Sequence, residues 1–456
     1  MSIAEKQDGG RTFPVTADFA RWVAGLNADA IPENAFTWAR HALLDWFGVT
    51  IAGAREPLVE MLAAECEPAE NAPCTLVGRA ARSGLLDAAL INGAASHALD
   101  YDDTHRRLHG HPTVCVAPVA LALGEKLGLS GRDVLTGFIA GVEVACNLGE
   151  MSDESHYEAG FHATGTMGTF GAAAAAAKLM QLDPSATARA LAIAASQASG
   201  LKINFGTMTK PLHAGKAAMN GLLAARLAAR GFTAHETAIE APQGFAAAEV
   251  PDFAGGPIRP DNTRPLAVEE TLFKYHAACY LTHAALEAIA ELRAKHGLDL
   301  DDVDTITLFI RPTHFTVCCI PAPQSGLEVK FSIQHVAVMA LDGVDTGALA
   351  SYSDENASDP RYVAAREEKV RIETRDDMDR MGAAVSIALK DGRTVRSEAN
   401  AGFPASDVDR QWTKLSAKFT SLTEPVIGAQ RAREVHEAVA LLDEQDDLSV
   451  LMAAAR

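Results

Sequence analysis

Apolar residues recur every three or four positions through most of the first 264 residues, interrupted by short Gly, Pro or Asp turns, and this spacing predicts a helical domain. Helices are expected over 35–49, 131–148, 171–182, 185–199 and 214–230, with a tightly packed small-residue helix over 88–96. Asp183-Pro184-Ser185 marks a stop and a fresh start, since proline's missing N–H costs nothing in a first helical turn. After Pro265 the period changes. Positions 304–310 and 369–374 are β-branched and alternate, and 383–389 and 393–398 alternate on either side of Lys390-Asp391-Gly392, an Asp-Gly hairpin signal. A helix over 331–341 lies between these strands, 272–296 reads as helical in its second half, and 408–456 is amphipathic helix with Trp412, Leu415 and Phe419 on one face. The expected fold class is mainly α with a smaller α+β domain. The all-helical domain is 1–268, completed by 405–456, and the sheet-containing domain is 269–404.

With 456 residues, 48% hydrophobic and 22% charged, the chain has ample apolar content for two folded domains, and aromatics at 6% imply a core built by packing many helices. A net charge of −19 without a basic cluster excludes a nucleic-acid partner, yet a few local cations are enough to bind a small anionic carboxylic acid. Seven cysteines, with no CxxC pair, indicate neither a disulfide framework nor a zinc site, which fits a reducing compartment. The N-terminus lacks the apolar core of a signal peptide, and no uninterrupted apolar run approaches the ~18 residues of a spanning helix. The expectation is a cytoplasmic protein with no membrane partner.

The densest chemistry lies between His97 and Pro112. It holds His97, His105, His109 and His111 with Asp100, Asp102, Asp103 and Thr104. If the preceding helix ran on through Asp100, then His97, Asp100 and Thr104 would share a face. Histidine and carboxylate are metal ligands, but no HExxH-like spacing is present, and His/Asp pairs serve proton transfer equally well, so no metal is expected. Asp102 and Asp103 are read as capping or solvating the helix end, and His105 and His109 as supporting or solvent residues. Gly165, Gly168 and Gly171 open an alanine-rich helix, but no strand leads into them. The spacing is GxxGxxG, so close helix packing is preferred over a phosphate loop. Further candidates are His162 before that helix, Lys210 fixed before a proline in apolar surroundings, and Lys274, His276, Cys279 and His283 at the domain crossover. Cys318-Cys319 reads as a buried thiol pair, and His41, His235, His296 and His436 as surface residues.

The segments HALDYDDTH…HPT, GFHATGTMGTFGAAAAAAKL, NFGTMTKPLHAGKAAMNG, FKYHAACYLTH and KFSIQHVAVMALDG, in this order, resemble the MmgE/PrpD family across nearly the whole chain. That family includes 2-methylcitrate dehydratases, cis-aconitate decarboxylases and iminodisuccinate epimerases. The resemblance implies a homodimer without metal or organic cofactor and an active site in a cleft between the domains. It assigns catalysis to Asp100, His111 and His162, and substrate binding to Thr104, Lys210, Lys274 and Cys279. Cis-aconitate decarboxylases carry a catalytic histidine five residues after the crossover lysine, where this chain has Cys279. They also contribute a tyrosine with no evident match near 314–320. The expected activity is therefore a cofactor-independent lyase, a dehydratase of a di- or tricarboxylic acid, with an epimerase as the alternative and decarboxylation disfavoured.

Overall fold

The computed structural model describes residues 13–259 and 263–456; the N-terminal segment judged above to lack a signal core lies outside the described residues. The chain divides into two compact units. The first comprises the described residues up to Ala98, His105–Thr271 and Leu422–Arg456, and the second Leu99–Thr104 and Leu272–Ser421. The return to the first unit thus falls at Leu422, inside the helix Val408–Ile427, rather than at 405.

The first unit is helical apart from one short antiparallel pair, Cys74–Thr75 with Arg82–Ser83, which the all-helical expectation did not include. Its centre is the helix Ala163–Leu179, in which every residue but Lys178 is buried, packed on Gly131–Ser152, Thr113–Leu127 and Thr209–Ala228, the last of which also packs on Leu85–His97. Small residues decide how closely these helices approach. A Cβ on Gly171 would lie 2.8 Å from the Gly141 carbonyl oxygen, one on Gly168 2.6 Å from Cys115 Sγ, and one on Gly93 2.9 Å from Gly215 Cα. Overpacking of such contacts costs about 1–3 kcal/mol, so glycine is required by the packing. The glycines at 165, 168 and 171 lie within the helix rather than ahead of it, because the helix starts at Ala163 and not at 171. Gly131–Ser152 is long and apolar enough by length and composition to cross a membrane, although charged residues interrupt it. Its apolar window is 94% buried in the protein, as a core helix is. His41, expected at the surface, is buried in the helix Glu33–Gly53; burial first, and the neighbouring Arg40 charge second, push its pKa down to about 4.

The second unit is built on a four-stranded sheet in the order Val370–Thr374, Val303–Ile310, Gly382–Leu389, Thr394–Asn400. The first pair is parallel, Ile306 opposite Val370, and the other pairs are antiparallel. A parallel pair needs a long crossover, which here includes the helices Ile333–Leu341 and Pro360–Lys369, the second of which the hydrophobic pattern did not reveal. Ile306, Leu308, Ile310, Val385, Ile387 and Leu389 alternate into the core. The Asp391-Gly392 turn closes the hairpin as the sequence indicated, with Leu389 N donating to Arg393 O at 2.8 Å and Gly392 at φ +88°.

Candidate functional site

The helix Leu85–His97 does not continue to Asp100. It stops at His97, and Asp100 adopts a left-handed backbone at φ +51°, a conformation aspartate tolerates better than most residues. The shared face expected for His97, Asp100 and Thr104 therefore does not exist. His97 belongs to the first unit and Leu99–Thr104 to the second.

In the first unit, His97, His111, His162, His213 and Lys210 come together. The His97 ring lies 4.6 Å from His111 and stacks on His162 at 5.9 Å, and His162 Nδ1 is 3.0 Å from His213 Nδ1. His111 follows a 105–110 loop and anchors its backbone N–H on Thr164 Oγ1 at 3.1 Å, in a crossing that leaves no room for a Cβ on Gly110, 2.8 Å from that oxygen. The loop itself is tied down by His105, fully buried with Nε2 2.9 Å from the Ala267 carbonyl, and by Arg107 among Glu143, Glu150 and Glu270. His105 is thus a buried supporting residue, and burial above all pushes its pKa down to about 3. His162 precedes the helix Ala163–Leu179, and Lys210 and His213 lie one turn apart in Thr209–Ala228. Lys210 is buried, not a surface lysine, with its ammonium 5.4 Å from the Phe205 ring that also packs edge-on against His162. Burial, then the charge of Lys210, holds both His162 and His213 below the ordinary histidine pKa, His162 well below. These imidazoles are neutral at pH 7 and available as proton acceptors.

In the second unit, three lysines grip three consecutive carbonyls. Lys330 donates to Leu99 O at 2.6 Å, Lys274 to Asp100 O, and Lys418 to Tyr101 O at 2.7 Å and to Lys274 O at 2.9 Å. A backbone that has just left a helix has carbonyls to satisfy, and in a buried segment side-chain donors such as these meet them. Lys274, 1% exposed, also pairs with the Asp100 carboxylate at 3.2 Å. Burial opposes its charge, but Asp100, Asp102 and Cys279 more than offset this and hold its pKa above the ordinary value. Asp102 and Asp103 are each 1% exposed, so they do not solvate a helix end, as had been expected; for Asp102 the Lys274 ammonium is the kind of cation a buried acid needs. Thr104 pairs its backbone with Leu272, two residues before Lys274. Cys279 is buried beside Cys318, whose hydrogen bond draws the Cys279 thiol below its usual pKa against the effect of burial, while Cys318 is pushed well above. Cys318 and Cys319 are both buried free thiols, the pair the sequence suggested.

Of the residues expected from sequence, His111, His162 and Lys210 gather in the first unit, and Asp100, Thr104, Lys274 and Cys279 in the second. The sequence reading gave no role to His213, Lys330 and Lys418. His213 and Lys330 lie inside quoted motifs, which was a usable signal. Lys418 looked like one more polar position on an amphipathic helix.

Comparison with known proteins covers both units. Residues 17–254 match the MmgE/PrpD N-terminal domain and residues 276–444 the MmgE/PrpD C-terminal domain. The cis-aconitate decarboxylase of Mus musculus is 30% identical over 96% of this chain and 92% of its own length. That of Homo sapiens is 29% identical over 96% and 93%, and that of Aspergillus terreus 26% identical over 98% and 97%. The chain is therefore an enzyme-family protein related to lyases along nearly its whole length, and it belongs to the MmgE/PrpD family.

Proposed function

We propose that the chain is a cofactor-independent lyase, a dehydratase acting next to a carboxylate of a small di- or tricarboxylic acid. The observation that carries this reading is the buried pair of neutral histidines, His162 and His213, beside the buried Lys210 in the first unit. Removing a proton from carbon beside a carboxylate builds negative charge on the carboxylate oxygens, and a buried ammonium stabilises that charge where water is excluded. Lys210 has this role, with His162 and His111 moving protons. A polycarboxylate replaces local positive charge by negative charge, which lifts the depressed His162 pKa towards the range of a working base. Elimination is completed when an acid protonates the departing hydroxyl. From the second unit, Asp100 is proposed to share in proton transfer, and Thr104, Lys274 and Cys279 in binding substrate. The setting is proposed to be cytoplasmic, and the working form a homodimer on the family resemblance.

A second reading, decarboxylation of cis-aconitate, is favoured by what the relatives are called. It ranks second because Cys279 stands where the resemblance calls for a histidine, and its neighbour Cys318 lies in the stretch where a tyrosine is called for. One experiment separates these readings. The full chain is incubated in deuterated water with citrate-like, succinate-like and aconitate-like acids, followed by ultraviolet absorbance and proton NMR. Alkene formation without carbon dioxide supports the dehydratase, and carbon dioxide release supports the decarboxylase. Deuterium entering recovered acid with no alkene means an epimerase and sinks the lyase reading. His162→Asn and Lys210→Met are each expected to lower turnover by ~10²–10⁴.

A further inference from the structure

We propose that His213 is a positioning residue that fixes the tautomer of His162 and receives its Nδ1 proton during turnover, so that the two imidazoles act as one proton relay. The proposal rests on the reading of His162 as a proton-transfer group and extends it to a residue with no assigned role. Nδ1 of each ring lies 3.0 Å from Nδ1 of the other, a hydrogen-bond distance that requires one nitrogen to donate and the other to accept. For Nε2 of His162 to act as a base, its proton must reside on Nδ1 and point at the lone pair of His213 Nδ1. The pairing supplies the acceptor that this tautomer needs.

The fold has made room for this pair at some cost. His162 is 2% exposed and His213 9%, so water does not readily substitute for either partner. Gly165 clears the space and Gly200 lines it at van der Waals distance. A Cβ on Gly165 would lie 3.2 Å from His213 Cβ and 2.6 Å from the Ser199 carbonyl oxygen, and one on Gly200 3.4 Å from both His162 Cβ and His213 Cγ. The Gly200 carbonyl accepts the His162 backbone N–H at 2.9 Å, which sets where the His162 side chain starts. Its ring plane is then fixed by the stacked His97 at 22° and the edge-on Phe205 at 82°. His213 follows Lys210 by three positions on one helix, so a single rigid element carries both the anion-stabilising ammonium and the relay partner. The groups that set the charge of the pair are Lys210 from the same helix, His97 from Leu85–His97 and His111 ahead of Thr113–Leu127.

In the relay, a proton leaving the substrate carbon bonds to His162 Nε2 while the Nδ1 proton of His162 passes to His213 Nδ1. His162 ends neutral in its other tautomer and His213 ends as an imidazolium. No oxidant or co-reactant is needed, and reversal returns the proton. A buried positive charge formed in this way is borne by His213 rather than by the ring facing substrate.

Two variants and two readouts test this. His213→Phe keeps a planar ring and removes the nitrogen. His213→Asn places an amide near the position of Nδ1, preserving a hydrogen bond but accepting no proton. In full-length protein labelled with ¹⁵N-histidine, with the His162 signals assigned by their loss in His162→Asn, the wild type is expected to show the Nδ1–H tautomer. That tautomer is expected to persist in His213→Asn and to be lost in His213→Phe. With an acid that the wild type turns over, kcat should fall ~10-fold in His213→Asn and ~10²-fold or more in His213→Phe with KM little changed, and the acidic limb of the pH profile should move. An unchanged His162 tautomer in His213→Phe overturns the proposal whatever the activity, as does a changed tautomer with kcat within twofold of wild type. Should the phenylalanine variant fail to fold, wild-type kcat in His213→Asn overturns it. If the wild type turns over no acid, the lyase reading fails on its own, while the tautomer measurement still decides whether His213 governs His162.

Discussion

Replacing Asp100 with asparagine removes one charge and little else, because the side chains are nearly isosteric and both residues tolerate the left-handed backbone at φ +51°. Lys274 would then keep a buried ammonium, 1% exposed, whose carboxylate partner at 3.2 Å has gone. At an effective dielectric near 20 the lost attraction is about 5 kcal/mol, and breaking a buried pair by removing one partner costs about 3–5 kcal/mol in stability. Lys274→Met should cost a similar amount, since it strips the nearby acids of a cation and the Asp100 carbonyl of a donor. The double variant removes both charges, and its cost should fall short of the sum of the single costs by at least about 2 kcal/mol. The assay is urea unfolding of wild type and the three variants at pH 7.5, with hydrogen exchange of the 99–104 amides to confirm that the perturbation is local. Additivity within about 0.5 kcal/mol would show that the two groups do not hold each other and would refute the account of how this segment is anchored.

Acid should destabilise the protein through its buried neutral histidines. His41, His314 and His335 are held at about 4 and His105 at about 3, chiefly by burial, so between these values and 6.5 the unfolded chain binds protons that the folded chain refuses. The stabilisation is complete above pH 6.5 and fades as pH falls towards 4, by about 2 kcal/mol for each such residue at pH 5, and unfolding at pH 5 without proton uptake would contradict this. Gly215→Ala would put a Cβ 2.2 Å from the Leu90 carbonyl oxygen and 3.0 Å from Ala94 N, so calorimetry should show a loss of about 1–3 kcal/mol or more, whereas Gly25→Ala, with nothing within 4 Å, should be neutral or stabilising. Lys418→Met leaves the carbonyls of Tyr101 and Lys274 without this donor and should cost about 1–3 kcal/mol for each in urea unfolding; a change under about 0.5 kcal/mol would mean that other donors already suffice.

Much of the architecture was legible because it is encoded locally. The helix restart at Asp183-Pro184, the Asp-Gly hairpin and the alternating strands depend on residues within a few positions of one another, and the structure follows them closely. The glycines at 165, 168 and 171 were also legible as packing devices, although their place inside the helix was not. Locality also explains the errors. Extending Leu85–His97 through Asp100 respected helical spacing, but the backbone takes a left-handed turn there, and the carbonyls it frees are met by Lys330 and Lys418, more than 200 residues away. His41 was placed at the surface, and solvent was one of two readings for Asp102, Asp103 and His105, because polarity is a sound guide to exposure only when no partner is available to compensate burial.

By itself, the sequence determined the helical and α+β composition, the family, and which residue types were present for carboxylate chemistry, since periodicity, turn chemistry and motif order are all properties of the linear chain. Tertiary structure alone decided which of those residues meet: His162 against His213 in a space left by Gly165, and three lysines on three successive carbonyls. Such contacts are set by where distant helices come to rest, and that depends on packing and on the satisfaction of buried polar groups over the whole fold, which no local window of sequence contains.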